Sequence, residues 1–176
     1  MEIKAKCVFD YKSMKALTFS TMYKRIPPKI AFNFTNITAV LLALLVLNMM
    51  LCFGIDTQSV YLLVLPAVIF LLNSYLYLIF PKIQYAALHQ MKNVVNTYIF
   101  CDNVIKITSK GEMYEGEAEL KYPMIPRIVE NAEYMFIYQS KNQVFIVDKS
   151  TITNGTVDDL RKKLRSFVKK YTVLTY

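Results

Sequence analysis

Apolar and polar positions follow three different patterns along this chain. Residues 2–9, "EIKAKCVF", alternate, with Ile3, Ala5, Cys7 and Phe9 set against Lys4 and Lys6, which predicts a half-buried strand. Asp10 stands where it can cap a helix through "YKSMKALTFSTMYKR". The Pro27–Pro28 pair is expected to stop that helix, since proline lacks an amide and restricts the residue before it. Alternation then vanishes: between Lys29 and Lys82 the only charged residue is Asp56. Two apolar runs, Ile37–Ile55 and Ser59–Phe80, occupy this stretch around a "GIDTQS" turn. At about 1.5 Å per residue, roughly 20 helical residues cross a bilayer core, and both runs suffice. A buried hairpin of a soluble protein would still need a polar stripe, and neither run has one. The pattern therefore predicts a two-pass transmembrane hairpin over 30–81. Residues 82–96, with Leu88, Met91, Val94 and Val95 spaced among polar positions, are expected to continue the second helix or to lie along the membrane surface.

Beyond Asn96 the period becomes two. Thr97–Cys101 and Val104–Thr108 flank "DN", a two-residue turn. "EGEAELKY" places Glu115, Glu117 and Glu119 on one face, read as the solvent face of a strand, because no His or Asn ligand accompanies them. "YPMIPRIVENA" bends irregularly, and "YMFIYQSKNQVFIVDKS" (134–150) forms a hairpin with "SKNQ" at its turn. The stretch "TNGTVDDLRKKLRSFVKKY" opens with Gly155, a Thr156 cap and Asp159 three residues on. Its Val157, Leu160, Leu164, Phe167, Val168 and Tyr171 fall on one helical face. Short antiparallel strands closed by an amphipathic helix are the outline of a pleckstrin-homology-like (PH-like) module. The expected fold class is thus a membrane α-helical hairpin of two transmembrane helices plus a small α+β PH-like cytoplasmic domain. The organisation reads as a strand and helix (1–29), the hairpin (30–81), a juxtamembrane helix (82–96) and the PH-like domain (97–176). Strand 2–9 can join the sheet of that domain and bring the two ends together.

Charge decides the orientation. The net charge is +8, but it is uneven: residues 1–29 carry seven Lys/Arg against two acids, 97–155 are net −2, and 156–176 are net +4. Basic flanks on both outer ends of a hairpin place both termini in the cytoplasm and the turn outside. Phe32, Phe34, Tyr61, Tyr75, Tyr77 and Phe80 sit where interfacial anchors belong. The expected location is the inner cell membrane, with the lipid bilayer as a partner. The basic excess fits an anionic leaflet and needs no nucleic acid. A cleaved signal peptide is not expected, since the first apolar run begins more than thirty residues in and no small-x-small site follows.

Candidate chemistry is sparse. Cys7, Cys52 and Cys101 have no CxxC spacing, and His89 is the single histidine, so no metal or cofactor set is assigned. There is no GxSxG, HExxH, P-loop or GxGxxG, and the chain has only four glycines; enzyme function is not expected. Asn48, Asn73 and Ser74 are candidate intramembrane polar contacts. Asn48 and Asn73 lie nine and sixteen residues from Thr57, so they differ in depth by roughly 10 Å. They cannot bond one another, and each needs a backbone carbonyl, the headgroup region or another subunit. Arg161, Lys162, Lys163, Arg165, Lys169 and Lys170 are the candidate membrane-contact residues, interleaved with the apolar positions of the last helix. A phosphoinositide-type loop would gather several bases, whereas Ser109–Lys110–Gly111–Glu112 offers one lysine beside an acid.

The pieces "YIFCDNVIKI", "LKYPMIPRIVENAEYMFIYQSKNQVFIVDKS" and "VDDLRKKL" resemble the YcxB-like family of bacterial membrane proteins. Tyr122, Ile125, Ile128, Glu130, Tyr134, Phe136, Tyr138 and Lys149 occupy that family's pattern, while Asp148 stands where the family often has proline. The resemblance implies a membrane-anchored cytoplasmic domain of unknown biochemical role and supplies no active site. The expected function is a docking protein that binds a protein partner, a second copy or headgroups near the inner leaflet. The alternative is an immunity-type or transport-accessory protein that protects against a membrane-targeting toxin.

Overall fold

The computed structural model describes residues 2–113 and 115–175. They divide into two compact units: 26–83, and the segments on either side, 1–25 together with 84–176. β1 (Ile3–Val8) leads into α1 (Tyr11–Met22). The Asp10 carboxylate accepts the Ser13 amide at 2.8 Å while the Ser13 hydroxyl accepts the Asp10 amide at 3.1 Å, a reciprocal cap. α1 ends at Met22, short of the proline pair. Pro28 instead opens α2 (Pro28–Phe53), a position where a missing amide costs no helical bond. Gly54, at φ 90°, turns the chain toward α3 (Thr57–Ser74), whose Asp56 cap accepts the Ser59 amide at 2.7 Å. A single π turn at Tyr75–Ile79 then joins α3 to α4 (Phe80–Ala87). The ring of Pro81 would collide with the carbonyl four residues back in a regular helix, and the wider turn before it makes room. Both long helices are apolar enough to cross a membrane. They bury little, and Leu51 and Phe53 remain 87% and 85% exposed.

In the other unit, β2 (Val95–Phe100), β3 (Val104–Lys110) and β4 (Glu115–Lys121) extend β1 into an antiparallel sheet of order β1-β2-β3-β4. Ile3 lies opposite Phe100 and Val8 opposite Val95. β5 (Arg127–Glu130), β6 (Tyr134–Tyr138), β7 (Val144–Asp148) and β8 (Tyr171–Val173) form the second sheet in the order β7-β6-β5-β8, with only β5 and β8 parallel. β1 also stitches to the chain beyond β7. Lys4 and Thr153 exchange backbone bonds of 2.9 and 2.8 Å, and the Thr151 hydroxyl bonds both Lys6 backbone groups at 2.8 and 2.7 Å. Ile3, Ala5, Tyr98, Phe100, Ile105 and Leu120 of the first sheet share one core with Ile128, Met135 and Ile137 of the second. α5 (Val157–Phe167) adds Leu160 and Leu164 to that core. β6 is buried throughout, because α1 packs on its other side.

The two turns read from sequence are present: Cys101 N–H donates to Val104 at 3.0 Å, and Gln139 N–H to Gln143 at 3.0 Å. Thr156 and Asp159 form the reciprocal cap of α5. The last helix is shorter than its apolar spacing predicts, ending at Phe167, so that Tyr171 begins a strand. The second edge of β5 explains the change. Ile128 N–H donates to Lys170 at 2.9 Å and Leu174 N–H to Glu130 at 2.7 Å, and without β8 these buried backbone groups would be unpaired.

Within the helical unit, the Asn73 amide donates to the Phe32 carbonyl at 3.1 Å and to Asn36 Oδ1 at 2.7 Å. Phe32 stacks on Tyr77 with ring centroids 4.3 Å apart. Asn48 accepts a long contact from its own helix, Cys52 Sγ at 3.7 Å. Ser74 stands at the junction between α3 and the π turn. Asn36 and Asn73 can meet because they lie eighteen residues before Gly54 and seventeen after Asp56, hence at matching heights in a hairpin. A double-mutant cycle between Asn36→Ala and Asn73→Ala, measured by unfolding in detergent micelles, is expected to give a coupling of about 1 kcal/mol. A coupling near zero would mean that this bond does not hold the helices in register.

Candidate functional site

Strand alternation gives β5 two chemically opposite faces. Ile128 and Glu130 point into the core, while Arg127 and Val129 point to the side covered by α1. Glu130 is 1% exposed, and its carboxylate is fully engaged. Arg161 donates Nε at 3.0 Å and Nη2 at 2.6 Å, Lys149 Nζ donates at 2.9 Å, and the Tyr171 hydroxyl at 2.7 Å. Burial raises the pKa of this carboxyl, but the bonds from Arg161, Tyr171 and Lys149 outweigh burial and hold it at about 2, against an ordinary 4.5. Burial and the neighbouring carboxylate push the Tyr171 hydroxyl up, so it stays a donor. Arg161 also pairs with Asp158, and Lys149 reaches the Asn131 carbonyl at 2.9 Å. One acid thus ties together β5, the turn after β7, α5 and β8.

The opposite face of β5 opens into a basic cleft. A recess of about 230 Å³ is lined by Ser20, Thr21 and Lys24 at the end of α1 and by Arg127, Tyr138 and Lys170, with Val129, Thr172 and Leu174 completing it. A second recess of about 390 Å³ shares Arg127, Tyr138 and Lys170 and adds Pro126, Ser140 and Lys141. The Arg127 guanidinium lies over the Tyr138 ring at 3.8 Å, as cross-strand pairing of these two residues requires. Among the described residues, no carboxylate belongs to the lining of either recess.

The six basic residues singled out from sequence do not share one surface. Arg161 is held by Glu130, and Lys163 donates to the Phe100 carbonyl at 3.2 Å and to Asp102 at 3.3 Å. Lys162 and Arg165 are exposed on α5, the latter with its guanidinium 5.0 Å from the Tyr171 ring centroid. Lys169 and Lys170 lie beyond the helix, exposed, and Lys170 enters the basic cleft. Sequence reasoning missed Lys24, Arg127 and Lys141 as a group, because they are brought near one another by strand order and the seat of α1 and not by sequence spacing. Glu115, Glu117 and Glu119 are exposed along β4, with Lys110 3.7 Å from Glu115. Burial pushes the Cys7 thiol up to about 12, Asp148 and Asp10 adding to the effect, so Cys7 acts as a small apolar core residue.

The Glu130 network makes stability depend on acid. A carboxyl depressed from 4.5 to about 2 contributes about 3 kcal/mol at neutral pH, all of it present above pH 4.5 and lost as pH falls toward 2. Urea unfolding of the full chain in detergent, followed by the near-ultraviolet tyrosine signal, should show that decline. Glu130→Gln is expected to cost about 3 kcal/mol at pH 7, because it leaves Lys149 without its counter-ion and Arg161 with only the exposed Asp158, and to flatten the acid side of the profile. An unchanged profile would mean that this carboxylate is not the group responsible.

No curated protein and no solved structure matches the chain. A family match exists for one segment, which runs from before β4 into α5 and holds Arg127, Glu130, Tyr138, Lys149 and Arg161. Over residues 112–164 the chain matches the family model described as YcxB-like protein, the family its sequence resembles.

Proposed function

We propose that the chain is a membrane-anchored interaction protein. In this reading α2 and α3 cross the bilayer as a hairpin and both flanks lie in the cytoplasm. The strand-rich unit is then a PH-like module that docks a partner or headgroups at the inner leaflet. The observation that carries the reading is the β1–β2 ladder. β1 precedes the two apolar helices in the chain and β2 follows them, yet they pair over six residues. Strands hydrogen-bonded to each other must lie on the same side of any bilayer, so the intervening segment has to cross it an even number of times. Two helices of sufficient length and apolarity meet that requirement. The seven Lys/Arg before the hairpin favour the cytoplasm as that side. The PH-like description is supported by two packed sheets of four strands with α5 seated through Leu160 and Leu164, while β1 and the parallel β8 are additions to that outline. Binding suits the unit better than catalysis does, because its one deeply buried acid is already saturated with donors.

The test is topological. In a variant lacking the native cysteines, a cysteine at Thr57 should react with a membrane-impermeant maleimide in intact cells. Cysteines at Lys12 and Lys141 should react only after permeabilisation. Labelling at Lys141 from outside would overturn both the orientation and the docking idea.

A further inference from the structure

We infer that the basic cleft between α1 and the second sheet is a binding site for a phosphate-type oxyanion. Lys24, Arg127 and Lys170 bring three positive charges to a recess of about 230 Å³ with no carboxylate among the described residues of its lining, and Lys141 brings a fourth to the adjoining recess. Several other bases of this unit have an internal counter-ion: Lys12 has Glu133, Lys110 has Glu115, Lys149 and Arg161 have Glu130, and Lys163 has Asp102. Among the described residues, no ion pair includes Lys24, Arg127, Lys141 or Lys170. Converging like charges destabilise a fold, so a cleft and adjoining recess that gather four of them with no counter-ion among the described residues suit an anion supplied from elsewhere.

The chemistry points to phosphate rather than to a loose counter-ion. The Tyr138 ring, 3.8 Å from Cζ, restrains the Arg127 guanidinium, whose planar fork can make two parallel bonds to an oxyanion. Lys24 and Lys170 come from α1's end and from the residue before β8, and they approach as mobile point charges. The Ser20 and Thr21 hydroxyls donate to the Leu17 and Thr18 carbonyls at 2.8 and 2.7 Å, so their protons are committed and the bases are the cleft's main donors. Such a set favours a compact, multiply charged ligand with several acceptor oxygens.

Two sources carry that chemistry: the phosphomonoester headgroup of an anionic lipid and a free phosphorylated solute. Lys24 precedes Pro28, the first residue of α2, by four positions, so chain length alone keeps it within roughly 14 Å of that helix end. This favours the lipid. That choice of source rests on the membrane reading above, whereas the oxyanion site itself does not.

Full-length protein in dodecyl maltoside micelles would be titrated separately with inorganic pyrophosphate, phosphatidate, phosphatidylcholine and a polyglutamate peptide. Binding would be read by native mass spectrometry for the lipids and by calorimetry for the soluble probes. Saturable binding of pyrophosphate or phosphatidate, and not of phosphatidylcholine, is expected. Arg127→Gln and Lys170→Gln should each weaken it about tenfold. Lys162→Gln and Arg165→Gln, on exposed bases outside the cleft, should leave it unchanged. Phosphatidate binding without pyrophosphate binding identifies the headgroup as the source, and pyrophosphate binding alone identifies a free solute. Both results support the site. Absence of saturable binding to either probe would overturn the inference. So would polyglutamate binding as tightly as pyrophosphate, or affinities indifferent to Arg127→Gln and Lys170→Gln while thermal melting of the variants matches the parent. The pyrophosphate arm is independent of membrane orientation, so a failed topology test would leave it standing.

Discussion

Six residue pairs, from Ile3 opposite Phe100 to Val8 opposite Val95, tie a strand that precedes two long apolar helices to one that follows them. The loop so closed spans 86 residues, but closure entropy grows only as the logarithm of length, and a helical hairpin formed first shortens the effective loop. The ladder makes the N-terminal strand a member of the strand-rich unit rather than a leader to the helices. It also fills the gap between the sheets: β1 covers the edge of β2 on one side and bonds Thr151 and Thr153 on the other. Removing it would expose the edge of β2 and leave the backbone groups of Thr153 without their partners.

Around that frame, β5 separates two kinds of electrostatics by strand parity alone. Glu130, three residues from Arg127, necessarily points to the opposite face. Inward, a single negative charge is neutralised by two cations and a phenol, so the core is internally balanced. Outward, positive charge is left unbalanced beneath the end of α1. The inner cluster holds β8 against β5 through Tyr171, and β8 in turn brings Lys170 and Thr172 to the cleft. A structural carboxylate on one face thus positions a basic cleft on the other.

Local features of this arrangement were legible in the sequence. Asp10, Thr156 and Asp159 announce their caps, and "DN" and "SKNQ" their turns, because caps and turns depend on a few adjacent residues. The alternation of 2–9 similarly marks β1. β8 was hidden, because Tyr171 continues the helical spacing of Leu160, Leu164 and Phe167, and a strand of three residues cannot display a period of its own. Glu130 left a readable trace: it shares parity with Ile128, which places an acid on a core face and demands a partner. Asn36 could likewise have been found by comparing its height with that of Asn73. The cleft had no such signal, since Lys24, Arg127 and Lys170 are brought together only by strand order and by the seat of α1.

The ladder has a consequence for the order of events during synthesis. β1 leaves the ribosome before either apolar helix, yet its partner β2 is complete only at Phe100. At about 5–20 residues per second, the interval between Val8 and Phe100 is roughly 5–20 s. Throughout it Ile3, Ala5 and Cys7 have no core to enter, and the Tyr171–Val173 strand that completes the second sheet emerges later still. Synthesis of both apolar helices therefore precedes assembly of the strand-rich unit. The two lysines between the apolar positions of β1 keep a waiting, unpaired strand soluble until its partner arrives.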